Sequence, residues 1–210
     1  TPKGVLLTHR AINEQMLASE LQAALDTAVD AKVSEEYGPV VHNAELSERF
    51  KDTQLLRGKG HNHGLALPLS CLQPSIMLTV PLFHVSGLCH TFLFSIAIGR
   101  KLSVMAKWVP KEALRLIEKE KVTAFMGVPT MVKDLLECPE LDKYDVSSVR
   151  SIGGGGAAMD KRSAADVPRR FVNGSAFQSY GLTETTGAVT AVSGLLYYAR
   201  PQSAGRPNAV

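Results

Sequence analysis

Four short stretches of this 210-residue sequence combine residue types able to handle phosphate, carboxylate or a flat ring. The densest is Gln178-Ser179-Tyr180-Gly181-Leu182-Thr183-Glu184-Thr185-Thr186-Gly187. A tyrosine face can stack on a base, threonine hydroxyls can bond phosphate oxygens, and a glutamate can hold Mg²⁺. Upstream, Ile152 runs into Gly153-Gly154-Gly155-Gly156 and then Ala157. A run without side chains lets a flat or phosphate-bearing group lie against the backbone, although its spacing is not the G-x-G-x-x-G of a dinucleotide loop. Pro81-Leu82-Phe83-His84-Val85-Ser86-Gly87 offers an imidazole that can meet a carboxylate. Thr1-Pro2-Lys3-Gly4 sets a mobile cation beside a glycine, a pairing suited to phosphate. Singly, three of these have plain readings: an exposed turn at Lys3, a helix-capping or core histidine at His84, a flexible turn at the glycines. The ten-residue segment is the specific one.

Periodicity predicts the elements that carry them. A helix runs from Thr8, its N-cap, to about Leu25, with Ile12, Met16, Leu17, Leu21 and Leu25 near helical spacing. Residues 26–64 are polar and hold Gly38-Pro39 and Gly58-Lys59-Gly60, which reads as an inserted surface loop. Strands are expected at Ile76–Val80, Lys101–Met105, Val122–Val128, Val149–Ile152 and Ser175–Gln178, the last feeding a loop. Helices are expected at Gly87–Ile98, from Pro110, from Pro129 to the stop at Cys138-Pro139, and over Asp160–Arg170. Strands alternating with helices predict an α/β fold with a largely parallel sheet and flanking helices. Such a sheet puts a site at its strand-to-loop exits, where these stretches sit.

Composition narrows the function classes. With 45% apolar and 20% charged residues the chain is an ordinary globular sequence, and no apolar run nears the ~18 residues of a membrane span. A net charge of +3 argues against a nucleic-acid partner. The three cysteines, Cys71, Cys89 and Cys138, show neither disulfide nor metal spacing, so a reducing, cytoplasmic setting is expected. A metal site of His42, His61, His63 and Cys71 fits no zinc pattern. Phe92, Phe94 and Met126 are read as core packing rather than pocket lining.

The ten-residue segment resembles the Tyr-Gly-x-Thr-Glu signature of the adenylate-forming (AMP-binding) superfamily, which comprises acyl-CoA synthetases, peptide-synthetase adenylation domains and luciferases. The remaining stretches resemble that family's motifs in the same order: Pro2-Lys3-Gly4 the end of its phosphate loop, Pro81–Gly87 its acyl-pocket motif, and the glycine run with Ala157 its adenine loop. Gly205-Arg206-Pro207 resembles a later family tripeptide. The resemblance covers the chain apart from 26–64. It implies that residues 1–210 are the central part of a large N-terminal adenylation domain, incomplete at both ends and without the C-terminal domain. The implied roles are Lys3 near the ATP phosphates and His84 orienting the carboxylate in the acyl site. Gly155, Gly156 and Ala157 would lie beneath adenine, and Tyr180 would flank the base. Gln178 and Ser179 would reach the nucleotide, Thr183 would bind the α-phosphate, and Glu184 would hold Mg²⁺. Ala158 and Ser179 depart from the family's usual proline and glycine. The implied reaction uses ATP, Mg²⁺ and CoA to turn a carboxylic acid, expected to be a fatty acid, into acyl-AMP and then acyl-CoA. Alternatives are an adenylation domain of the peptide-synthetase type and a non-catalytic nucleotide-binding remnant. Phe83-His84, with no visible aspartate to anchor an amino acid, favours the ligase. Alone, these residues are expected to be inactive, and the longer parent is open to peripheral membrane association.

Overall fold

The structure, a computed structural model, describes residues 4–18, 21 and 74–208. Lys3, the 26–64 segment and the group His42, His61, His63 and Cys71 lie outside the described residues. The first helix, α1, covers 9–18. Thr8 caps it as expected: its hydroxyl oxygen accepts the Ala11 N–H at 3.0 Å, satisfying one of the donors a helix start leaves unpaired.

From Pro74 onward, strands and helices alternate. They run β1 (Ser75–Leu78), α2 (Ser86–Leu93 continuing as Phe94–Ala97), β2 (Lys101–Val104), α3 (Pro110–Glu120), β3 (Ala124–Gly127), α4 (Pro129–Leu136), β4 (Ser151–Gly154), α5 (Lys161–Arg170), β5 (Ser175–Leu182), β6 (Gly187–Ser193), α6 (Gly194–Ala199) and β7 (Arg206–Pro207). The strands form one seven-stranded sheet in the order β2-β1-β3-β4-β5-β6-β7. Pairings from β2 through β5 are parallel, and β5–β6 and β6–β7 are antiparallel.

Local chemistry explains the elements. β1 sits inside the sheet with all four residues buried, which is why it reads as a continuous Ile-Met-Leu run rather than an alternating one. Pro110 and Pro129 open α3 and α4 at the position where a missing N–H costs nothing. α3 turns Ala113, Leu114 and Ile117 fully inward, and Lys121 in the left-handed region (φ 50°) closes it. Asp160 caps α5 by accepting the Ser163 N–H at 2.9 Å. Leu114, Ile117, Val132, Leu135 and Val167 from the helices meet Phe125, Ile152 and Ala176 from the strands in one core. Each large side chain so enclosed contributes roughly 1.5–3 kcal/mol.

Three expectations are corrected. The apolar helix is not a plain α-helix: α2 is a π-helix over Ser86–Leu93 and becomes α-helical only over Phe94–Ala97. β5 does not stop at Gln178 but continues to Leu182, because β6 supplies an antiparallel partner. Gly153 and Gly154 belong to β4, so only the second half of the glycine run is loop. Among the described residues no helix is long and apolar enough to cross a membrane, and Cys89 and Cys138 are free thiols.

Candidate functional site

Parallel pairing puts the carboxyl ends of β1, β3, β4 and β5 on one edge of the sheet. The strand order reverses between β1 and β3, since β2 lies on one side of β1 and β3 on the other. Open α/β sheets form their ligand crevice at such a point. The His84 loop follows β1, the Gly155–Ala157 loop follows β4, and the Thr183–Thr185 turn follows β5. Three of the four stretches singled out by residue type therefore emerge on the same edge.

The glycine run divides into packing and opening. A Cβ on Gly153 would fall 2.1 Å from the Phe177 carbonyl oxygen, and one on Gly155 would fall 2.8 Å from the Ser179 carbonyl oxygen. These glycines let β4 and its exit lie close against β5. Gly156 differs: its φ of 85° demands glycine, yet the nearest atom to an added Cβ is a Val128 methyl at 3.8 Å. Gly156, Ala157 and Ala158 are exposed and Gly155 is partly buried, so the backbone here forms an open floor. Gln178 holds that floor. Its side-chain oxygen accepts the Met159 N–H at 3.0 Å, and its amide nitrogen donates to the Ala157 carbonyl at 2.9 Å. Gln178 is buried, and its side chain faces the loop rather than open surface. The Ser179 hydroxyl lies 3.4 Å from the Gly154 carbonyl oxygen. The structure thus brings Gly155, Gly156, Ala157, Gln178 and Ser179 together.

Beyond β5 the division is between anchors and free groups. Thr185 is an anchor: its Oγ1 accepts the Leu182 N–H at 3.1 Å and lies 2.9 Å and 2.8 Å from the carbonyl oxygens of Leu182 and Gly187. Thr186 is buried in the left-handed region (φ 62°) and ends the 3₁₀ turn Thr183–Thr185. Thr183 and Glu184 are exposed on that turn, and their side chains have no partner among the described residues. Tyr180 leaves 52% of its surface exposed. One aromatic face, one hydroxyl and one carboxylate are thus held in place by their neighbours and left unengaged.

His84 stands apart, with no hydrogen bond to the glycine floor or the turn. Its exposed ring accepts the Ser86 N–H at Nδ1, 3.2 Å away, so in the neutral ring the proton sits on Nε2, which remains a free donor. Gly87 keeps this loop tight, since an added Cβ would lie 2.3 Å from the Pro81 carbonyl oxygen.

A second histidine was not among the sequence-derived site residues. Nε2 of His90, on the π-helical part of α2, accepts the Ala188 N–H at 3.2 Å. Burial pushes its pKa from 6.5 down to about 4, because the charged ring would lose its water. The Ala188 carbonyl oxygen receives the Gln15 amide at 2.7 Å and the Asn208 amide at 2.6 Å. The sequence signal was present in the one histidine interrupting an apolar helix six residues after His84.

Mg²⁺ usually binds through one or two carboxylates plus substrate phosphates, keeping several waters. Among the described residues no three His, Cys, Asp or Glu side chains gather into a cage. An exposed carboxylate such as Glu184, next in sequence to Thr183, is an oxygen donor of the type such an open site uses.

Comparison with known proteins finds that the family described as AMP-binding enzyme matches residues 1–210. Over 131 residues the chain is 37% identical to a long-chain-fatty-acid–CoA ligase of Bacillus subtilis, covering 61% of this chain and 22% of that protein. Over 109 residues it is 37% identical to 4-coumarate–CoA ligase CCL1 of Humulus lupulus, covering 52% and 20%. The chain therefore spans about a fifth of the length of these curated relatives. Among solved structures, a fatty acyl CoA synthetase of Mycobacterium tuberculosis superposes with a TM-score of 0.59 at 28% identity, over 65% of this chain and 26% of the other. O-succinylbenzoate CoA synthetase of Bacillus subtilis, in complex with ATP and magnesium ion, superposes with a TM-score of 0.55 at 26% identity, over 76% and 31%.

Proposed function

The chain belongs to the AMP-binding enzyme family, and from that premise we propose that it is the central part of an adenylation domain in a longer acid–CoA ligase. The longer enzyme activates a carboxylic acid with ATP, giving acyl-AMP and pyrophosphate, and then passes the acyl group to CoA. A fatty acid is the substrate class put forward, in keeping with the long-chain ligase among the relatives. Lys3 at the phosphates, the 26–64 segment as an insertion, and a C-terminal domain supplied by the rest of the protein belong to the same proposal. So does the inactivity of these residues alone.

One observation carries the proposal. At the carboxyl edge of the sheet Gln178 and Thr185 are engaged in bracing backbone, while Thr183, Glu184 and Tyr180 are left exposed and suit a nucleotide and its metal. The open floor at Gly155, Gly156 and Ala157 accepts the flat base and Tyr180 flanks it. Base–aromatic stacking of this kind is worth about 1–3 kcal/mol. The Thr183 hydroxyl donates to the α-phosphate. Glu184 would hold Mg²⁺, which when bound neutralises phosphate charge. His84, with its Nε2 proton facing out, orients the acid's carboxylate, while Gln178 and Ser179 meet the nucleotide mainly through the backbone they brace. Adenylation on such a surface works by positioning and by stabilising charge that develops at phosphorus.

The test is Glu184→Gln in the longer enzyme, measured by ATP–pyrophosphate exchange. The expected loss is about a hundredfold. A rate within about twofold of wild type would remove Glu184 from the role. Calorimetry of the folded chain should also register AMP, and binding unaffected by Tyr180→Ala would place the base elsewhere.

A further inference from the structure

The start of β6 is held by a histidine to which none of the roles above gives a task. We propose that His90 is a positioning residue for adenylation: by accepting the Ala188 N–H in the space Gly187 leaves, it fixes where the Thr183–Thr185 turn presents Thr183 and Glu184. This inference rests on the nucleotide-binding role proposed for that turn.

The geometry has three parts. First, the register between β5 and β6 passes from Tyr180↔Thr190 to Gly181↔Ala188, so Val189 is an extra residue on β6 opposite the Tyr180–Gly181 step. Such bulges re-aim the strand beside them and interrupt its ladder. Second, the Ala188 N–H is received by His90, while the Ala188 carbonyl takes donors from Gln15 on α1 and from Asn208 just past β7. Three separate segments therefore converge on the backbone of one residue. Third, the ring lies where a side chain on the neighbouring residue would be: a Cβ on Gly187, whose φ is 128°, would fall 1.9 Å from His90 Nε2. Between Ala188 and the end of β5 the chain has only the 3₁₀ turn, Thr186 and Gly187. The other fastening is Thr185, which ties Leu182 to Gly187. Displacing Ala188 displaces Glu184.

Filling space is not the whole of this contact, because Nε2 must be an unprotonated acceptor. Its proton is on Nδ1, the opposite tautomer to His84. The π-helical turn of α2 sets the reach, since the wider helix brings His90, on the helix that begins just past the acid-orienting loop, against the strand behind the phosphate-facing turn. His90 thereby connects two motifs that the sequence keeps about a hundred residues apart.

The experiment compares His90→Leu and His90→Gln in the longer enzyme by ATP–pyrophosphate exchange. Leucine fills the space without an acceptor, and glutamine restores one. His90→Leu should lower kcat about ten- to hundredfold and raise the KM for Mg·ATP, the scale expected of a small misplacement of catalytic groups. His90→Gln should recover to within about threefold of wild type. Equal losses in both variants would show that the ring's shape matters and its nitrogen does not, and no loss in His90→Leu would overturn the inference outright. A wild-type enzyme without exchange activity would instead strike the proposed function on which this rests. Should His90→Leu fail to fold, ¹⁵N NMR of the unaltered folded protein decides: at pH 7 His90 must carry its proton on Nδ1, and a protonated Nε2 would refute the brace.

Discussion

Lowering the pH from 7 to 5 protonates a histidine in an unfolded chain but leaves His90 neutral in its folded setting, where burial pushes its pKa from 6.5 to about 4. No neighbouring charge contributes to the shift. The ring accepts the Ala188 N–H and lies against Gly187, and desolvation is the cause of the shift. The sign follows from linkage. Above pH 6.5 the ring is neutral in both states and stability is complete. As the pH falls below 6.5 the unfolded chain takes the proton first, and stability is lost until about pH 4, where the folded ring is protonated too. At about 1.4 kcal/mol per pH unit, the full drop amounts to about 3 kcal/mol, with about 2 kcal/mol of it gone by pH 5. One strongly shifted carboxylate lies outside this window. Asp145 is held well below its usual range by Lys121 and then Ser147, so its contribution is present above its ordinary value of 3.8 and lost only below it. The assay is urea unfolding of the 210-residue chain at both pH values, followed through Trp108, the only tryptophan in the sequence. Its indole donates to Asp134 at 2.8 Å and lies 5.6 Å from Phe125 in the core, so its emission reports folding of this sheet. Between pH 7 and pH 5 the wild-type chain should lose about 2 kcal/mol more than His90→Gln. Equal losses would refute the enclosure of His90, and with it the reasoning from its burial.

Other perturbations test the packing and the floor. Gly153→Ala sets a Cβ 2.1 Å from the Phe177 carbonyl oxygen and should cost about 3 kcal/mol or more in urea unfolding; a cost under about 1 kcal/mol would mean β4 and β5 are less tightly opposed. Phe125→Ala empties a fully buried site and should cost about 3–5 kcal/mol by the same measurement. Gln178→Ala leaves the Met159 N–H and the Ala157 carbonyl without their partner and should cost about 1–3 kcal/mol. It should also weaken AMP binding in calorimetry, and unchanged affinity would show that the floor does not need this brace. Tyr180→Ala should leave the melting temperature nearly unchanged, because the side chain is half exposed, while AMP affinity falls about tenfold.

Where the chain obeys one periodicity for a whole element, the sequence was easy to read. Pro110 and Pro129 mark the starts of α3 and α4, the Cys138-Pro139 stop gives the end of α4 within a residue or two, and the apolar run at Ile76 to Val80 gives β1, which ends two residues sooner at Leu78. The elements past Gln178 were harder for a physical reason. In Ser-Tyr-Gly-Leu and Gly-Ala-Val-Thr-Ala-Val-Ser, Gly181 interrupts the first segment and Gly187 opens the second, and the two pair with each other as antiparallel strands. Gly181, which argues locally for a loop, is there because the Gly187 carbonyl oxygen would lie 1.8 Å from its Cβ. Likewise Gly153 and Gly154 look like loop glycines and are strand residues, small so that neighbours can approach. A sequence displays the missing side chain and hides whether a ligand or another strand fills the gap.

The same ambiguity governs the site, and burial resolves it residue by residue. By type, Gln178, Ser179, Thr183, Glu184, Thr185 and Thr186 were equally able to meet a nucleotide. In the fold, the side chains of buried Gln178 and of Thr185 hold backbone and Thr186 is buried, while Thr183 and Glu184 are exposed with no side-chain partner among the described residues. Hydrogen bonds that fix the backbone on either side of Thr183 and Glu184 restrict the orientations the two free side chains can take, so less order has to be imposed when a ligand arrives. His90 extends that principle beyond the motif. It touches none of the groups that would face phosphate, yet it sits at the point where the strand after them is held, in a pocket that only the absence of a side chain at Gly187 makes available. A motif search scores Gly187 as the end of a signature and His90 as a break in an apolar helix. Placed together, they are a single contact, and the position of Glu184 depends on both.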